Sequence, residues 1–381
     1  MSPIAASRRQ PAMVLAVLTI IVLMAGCASP GVITGGGRLP QVPAKVPAAR
    51  LPPIAFPQDE APHQDLTEWW YYTGHLHGAD ASGNPHTYGF EFTVFQNLRG
   101  PLPPYYAAHF AVSDLTRGAF HYDERAVTEP LSAIPPAGST HGFALNVGGW
   151  HMDGLNGRDH LAAAMDGYRI ALSLTGLKPA VLHGGMGLIT YGLAGFSYYY
   201  SRPLIAVAGT LTDHGTAVSV AGTAWMDHQW GNFITLAGSG WDWYSLQLDD
   251  NTEYMLYIIR DAQKRPVSTV GTYVAPDGTA SEIPGSAITS TPTGHWTSPM
   301  TGGTYPSGWV VTIASQGLTL TITPDLLDQE LVTARSTGVA YWEGAASLRG
   351  TVAGHTITGQ GYVELTGYAN LPPGSGGLGI P

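Results

Sequence analysis

One cysteine, Cys27, in 381 residues means that no intrachain disulfide can brace the chain, so its stability must come from a packed core. Charge is also scarce. Asp, Glu, Lys and Arg make up 12% of the residues against 44% hydrophobic and 10% aromatic, which excludes the profile of a disordered polymer. Basic residues are outnumbered 27 to 17 by acidic ones, and a net charge of −10 argues against a nucleic-acid partner. Sustained 3.6-residue periodicity is missing, and 49 glycines and 29 prolines punctuate the chain as turns between strands do. There is no Gly-x-Ser-x-Gly elbow, no Walker loop and no dinucleotide fingerprint, which removes the corresponding serine-hydrolase and nucleotide chemistries. The 14 histidines include no His-x-x-x-His pair and no His/Cys cluster. His63, His75, His77, His86, His109 and His121 are scattered over turn and strand positions, so neither a metal nor another cofactor is expected.

What is present begins at the N-terminus. Arg8 and Arg9 precede an apolar run from Ala12 to Ala25, which is short for a membrane span of roughly 20 residues and ends at Gly26-Cys27. Leu23-Met24-Ala25-Gly26-Cys27 resembles a lipobox, with Met24 where leucine is usual. Residues 1–27 are therefore expected to be a lipoprotein signal peptide, with Cys27 carrying the lipid. The expected location is the cell envelope, facing the periplasm where two membranes exist; Ala28 in place of aspartate mildly favours the outer membrane. Residues 28–62, rich in Pro, Ala and Gly, read as a tether. Beyond them come short apolar or alternating runs bounded by turn residues, an all-β pattern of the barrel or sandwich kind. In Tyr88-Gly89-Phe90-Glu91-Phe92-Thr93-Val94-Phe95 rings occupy both parities, as in a strand buried on both faces.

A repeat organises this region. Glu68-Trp69-Trp70-Tyr71, then Tyr88 to Phe92, is echoed by Asp242-Trp243-Tyr244-Ser245, then Tyr254 to Ile258. A duplicated β domain follows, residues 63–215 and 216–370, with a Gly/Pro-rich tail at 371–381. Two clusters could carry chemistry. In Trp225-Met226-Asp227-His228-Gln229-Trp230, strand alternation puts His228 and Trp230 on one face and Asp227 on the other. These residues fit either an acid/base pair tuned by burial or hydrogen-bonded polar groups closing a barrel end. In the second cluster, Glu68 to Tyr71 with His75 stand beside a strand carrying Glu91, which must be paired with an arginine or held neutral. Tyr198-Tyr199-Tyr200 reads as packing, with hydroxyls available to a pocket.

Glu68-Trp69-Trp70-Tyr71-Tyr72-Thr73-Gly74-His75-Leu76, Ala108-His109-Phe110-Ala111-Val112-Ser113-Asp114, Ala224 to Gly231 and Tyr341-Trp342-Glu343-Gly344 together resemble a known family. It is the lipocalin-like superfamily of carotenoid 1,2-hydratases (hydroxyneurosporene synthases), in its exported branch of secreted hydrolase-like proteins. The resemblance runs from about His63 to Tyr368 and implies two lipocalin-like antiparallel β-barrels packed together around an apolar cavity. It further implies acid-catalysed addition of water to a double bond of an isoprenoid or lipid-like substrate. On that footing Asp227 or Asp242 is the expected acid, and His228 orients it or deprotonates water. Trp230, Trp241 and Tyr257 form the expected cation-stabilising wall, with Trp70, Glu91 and Tyr198 as further substrate contacts. One departure stands out: the hydratases are expected to carry an acid on the strand after the tryptophan-rich hairpin, and Tyr257-Ile258-Ile259-Arg260 has none. The competing expectation is a non-catalytic carrier of a hydrophobic ligand, serving an ABC-type transporter.

Overall fold

The computed structural model describes residues 51–190, 195–233 and 239–371. The expected signal peptide, Cys27, most of the tether and the tail from 372 onward lie outside the described residues. Within them there is no α-helix, only strands and short 3-10 turns. The first sheet contains β1 (Thr67–Ala79), β2 (Pro85–Asn97), β3 (Tyr105–Asp114), β4 (Ala119–Thr128), β5 (Phe143–Val147), β6 (Trp150–Leu155), β7 (Arg158–Ala164), β8 (Tyr168–Gly176), β9 (Val181–Leu182), β10 (Leu188–Thr190), β11 (Gly195–Asp213) and β12 (Thr216–Phe233). The second contains β13 (Gly240–Leu248), β14 (Glu253–Arg260), β15 (Pro266–Val274), β16 (Ala280–Pro284), β17 (Ile288–Thr297), β18 (Thr304–Ile313), β19 (Leu318–Pro324), β20 (Glu330–Thr333), β21 (Val339–Val352) and β22 (His355–Thr366).

Each sheet is an antiparallel meander that curls until its last strand pairs with its first, β12 with β1 and β22 with β13. In each, the first strand lies between the second and the last, so the two halves share one winding and the expected pair of lipocalin-like barrels is present. The seam of the first barrel, where β4 and β5 do not pair, is bridged by Arg125. Its guanidinium donates to the carbonyls of Gly148 and Ala164 and covers the Trp150 ring at 4.3 Å. The change of sheet falls between Phe233 and Gly240. The expected division at 215/216 corresponds instead to the turn of the β11–β12 hairpin, because β12 closes the first barrel rather than opening the second.

Strand alternation then decides which core each residue enters. Trp70, Tyr72, Phe90, Phe92 and Phe110 meet Trp150 and Tyr168 inside the first barrel. Tyr244, Leu256, Trp309, Trp342 and Val363 fill the second. The other parity of the same strands builds a third core between the barrels, where Tyr71, Tyr199 and Trp225 pack on Trp243, Tyr257 and Tyr362. Hydrogen bonds cross this contact from Tyr71 to Glu343 (2.7 Å), Tyr105 to the Ser336 carbonyl (2.7 Å) and Ser113 to Gln329 (2.6 Å).

Gly89 marks the closest approach: a Cβ there would stand 2.6 Å from the Tyr362 hydroxyl and 2.7 Å from the Ala345 methyl, both on the other barrel. Gly89→Ala is expected to destabilise the protein by about 1–3 kcal/mol through overpacking. A lowered midpoint in thermal unfolding checks this, and an unchanged midpoint contradicts the tight contact.

Candidate active site between the barrels

Because β1, β2 and β12 offer one ring-rich face to β13, β14 and β22, the contact does not close completely. A cavity of about 290 Å³ remains between the barrels. Trp69, Phe95, Trp241, Trp243 and Tyr257 supply much of its wall, and two carboxyl groups, Asp227 on β12 and Glu364 on β22, reach it.

Asp227 is buried and fully engaged. Its Oδ1 accepts from Trp225 Nε1 (2.6 Å) and from the Ser201 hydroxyl, and its Oδ2 accepts from Tyr199 (2.5 Å). Since the Ser201 proton points to Asp227, the His183 Nε2 at 2.6 Å must be the donor to Ser201, which leaves His183 Nδ1 to accept from Thr272 at 2.8 Å. Burial pushes the His183 imidazole down to about 3, so the relay begins with a neutral ring. Tyr199 also accepts from Trp243 Nε1 at 2.9 Å, which ties Asp227 to the opposite barrel. Burial raises Asp227 to about 7 even though its three donors pull the other way.

Glu364 differs in having room. It accepts from Trp241 Nε1 at 2.8 Å and keeps part of its surface on the cavity. Burial away from bulk water, with Asp227 nearby, raises it to about 7. Behind it lie Glu343, which accepts from Tyr71, and Glu91, which accepts from Thr93 at 2.5 Å. Each keeps one buried oxygen without a partner, and burial pushes both well above the ordinary carboxylate range. The arginine envisaged for Glu91 is not its partner.

The expected site residues separate into groups. Trp241 and Tyr257 line the cavity with Asp227. His228, Trp230 and Trp70 do not: they point into the first barrel, where His228 stacks on Trp70 with centroids 4.6 Å apart. His228 therefore cannot orient Asp227, as the alternation of β12 requires. Tyr198 bonds to the Pro52 carbonyl and packs on Trp230. Asp242 faces away from the cavity, held by Arg260 Nε at 2.9 Å and by Tyr368 at 3.0 Å. Glu364 was missed because its strand carries no other acid and no tryptophan; only its register opposite Trp243 reveals it. Among the described residues one group has the donor types of a metal site, His63, Glu68 and His228, and it lies on the barrel side of β12.

Residues 47–368 match the sequence profile of the AttH-like family. A crystal structure assigned as AttH from Nitrosomonas europaea superposes with a TM-score of 0.73 at 30% identity, covering 87% of this chain and 99% of that one. Kievitone hydratase from Nectria haematococca superposes with a TM-score of 0.66 at 18% identity, over 91% of this chain and 99% of its own, a likeness of fold. No curated protein sequence matches.

A carboxyl raised by folding binds its proton more tightly in the native than in the unfolded chain. Its contribution to stability is therefore full below the ordinary carboxylate value of about 4 and is lost as pH rises through about 7. The unfolding midpoint is expected to fall between these pH values, and Glu364→Gln, which stays neutral throughout, to flatten part of that slope. Thermal unfolding followed against pH checks it; parallel curves for the two proteins would contradict the placement of Glu364.

Proposed function

The chain belongs to the AttH-like family, and from that membership and the cavity chemistry we propose that it is a hydratase-type enzyme adding water across a double bond of an apolar, isoprenoid or lipid-like substrate. The observation that carries this reading is Glu364: a carboxyl raised to about 7, open to an aromatic cavity, is protonated often enough near neutrality to donate and basic enough to be restored. Kievitone hydratase, which shares the fold, is by its name a hydratase. In the proposed cycle Glu364 gives its proton to the less substituted alkene carbon, and the π pair forms the new C–H bond. The tertiary cation left behind is faced by the rings of Trp241, Trp243 and Tyr257, each good contact being worth about 0.5–2 kcal/mol. Water adds to the cation, and the proton it sheds returns to Glu364. Asp227, held by three donors from a fixed relay, opposes the positive charge from the first barrel.

The full hydrogen bonding of Asp227 also favours a second reading, in which the carboxyl braces the wall of a carrier that holds its ligand unchanged. Both readings fit a chain lipid-anchored through Cys27 at the cell envelope, where membrane-soluble ligands concentrate; in the carrier reading an ABC-type transporter is the partner.

With isoprenoid alkenes presented in detergent, the wild-type chain is expected to yield products heavier by one water. Glu364→Gln is expected to lower turnover by about 10²–10⁴-fold while ligand binding persists. Asp242→Asn, which breaks the Arg260 pair, is expected to act on the unfolding midpoint instead. Equal turnover in wild type and Glu364→Gln would sink the proposed acid. Mass spectrometry finding an unaltered ligand in purified protein, with no turnover of any alkene, would replace the enzyme by the carrier.

A further inference from the structure

On the barrel side of β12, away from the cavity, His63 and His228 converge on one carboxylate oxygen. Glu68 Oε1 lies 2.7 Å from His63 Nδ1 and 2.7 Å from His228 Nε2. The three atoms lie within 4.8 Å of one another. We propose that His63, Glu68 and His228 bind one divalent transition-metal ion of the zinc class, clamping the segment ahead of β1 to the barrel.

Four features support the site. First, each imidazole has its far nitrogen held: Asp59 Oδ1 meets His63 Nε2 at 3.3 Å, and the Tyr200 hydroxyl meets His228 Nδ1 at 3.3 Å. Outer partners of this kind orient metal-bound histidines. Second, Glu68 Oε2 is already occupied by the His63 backbone N–H at 2.7 Å and by Gln96 Nε2 at 3.0 Å, which fixes Oε1 as the converging atom. Third, both rings are stacked on indoles that set their planes, His63 parallel to Trp230 with centroids 4.1 Å apart and His228 on Trp70. Fourth, Glu68 and His228 are completely buried, whereas the His63 side chain keeps 17% of its surface exposed, giving an ion and one water a way in.

Two neutral imidazoles and one carboxylate suit zinc and its neighbours; calcium and magnesium require oxygen ligands. Zinc bonds of about 2.0–2.2 Å require the two 2.7 Å contacts to open slightly. His63 can make that adjustment, since it lies ahead of β1 and outside the strand ladder. The proton now shared along each contact leaves when the ion enters.

The test needs no substrate. The full chain, purified in detergent and stripped with chelator, is titrated with zinc alone and with cobalt(II) alone. One equivalent is expected to bind, with the visible absorption of a four-coordinate cobalt site and a raised unfolding midpoint. His63→Gln, with unchanged circular dichroism, is expected to lose the stoichiometric ion. Asp59→Asn, which leaves all three ligands in place, is expected to weaken binding about 10–100-fold. No stoichiometric uptake by the wild type, or equal affinity in His63→Gln, overturns the site. Should His63→Gln fail to fold, equal affinity in Asp59→Asn overturns it.

Discussion

Burial of the same strands on both faces is the constraint from which the rest of this structure follows. A strand in an isolated barrel has a wet face on which charges can stand at no cost. Here long stretches of β1, β2, β3, β12, β13 and β21 are buried on both sides, so the polar side chains within those stretches must be satisfied inside protein or lose their charge. Asp227 gathers three donors, His109 is bonded to Tyr341 and Ser336, and burial drives the carboxyls of Glu91 and Glu343 well above their ordinary range. An apolar contact between two barrels thereby becomes a place that favours the protonated form of a carboxyl group. That is an unusual chemical resource, and it follows from topology before any catalytic requirement is considered.

Strand parity divides this resource into two compartments. On β12, Asp227 and Gln229 turn to the cavity while His228 and Trp230 turn to the first barrel. The sequence places them side by side, yet they belong to separate networks. The cavity network runs from Thr272 through His183, Ser201 and Asp227 to Tyr199 and Trp243, beginning and ending on the second barrel. The barrel network joins Asp59, His63, Glu68 and His228, and it fastens the N-terminal segment. A change to one network need not be felt by the other, because the backbone of β12, paired on both edges, separates them.

Much of the fold could be read in advance, and much of the site could not. The rings on both parities around Glu91 announced a doubly buried strand, and the echo of Glu68-Trp69-Trp70-Tyr71 in Asp242-Trp243-Tyr244-Ser245 announced the duplication. The repeat spacing put the boundary at 215/216, which is the turn of the β11–β12 hairpin, because the pairing of β12 with β1 is a long-range one with no local signature. The strands Phe143–Val147, Trp150–Leu155 and Arg158–Ala164 carry a weak sequence signal because their polar outer faces dilute short apolar runs. Asp227 was legible from its tryptophans. His63 was not, because its partners stand at Glu68 and, far along the chain, at His228, and no spacing rule connects them.

Glu364 shows how a carboxyl reaches this cavity from a strand other than the one the resemblance points to. The expectation was an acid on the strand that follows the tryptophan-rich hairpin, and Tyr257 stands there instead. Trp243, however, has two cross-strand neighbours: Tyr257 on β14 at one side and Glu364 on β22 at the other. Residues directly opposite one another in a ladder point to the same face, so both side chains reach the cavity beside the same indole. For a reacting atom in that cavity, what matters is the direction and depth of the acid rather than the strand that carries it. In a closed barrel the first strand pairs with the last, and a carboxyl on either neighbour of β13 can occupy equivalent space. Despite the departure at Tyr257, the cavity therefore has a carboxyl beside the indole, carried by the closing strand of the second barrel, where Trp241 Nε1 fixes one oxygen and the cavity receives the rest of the group.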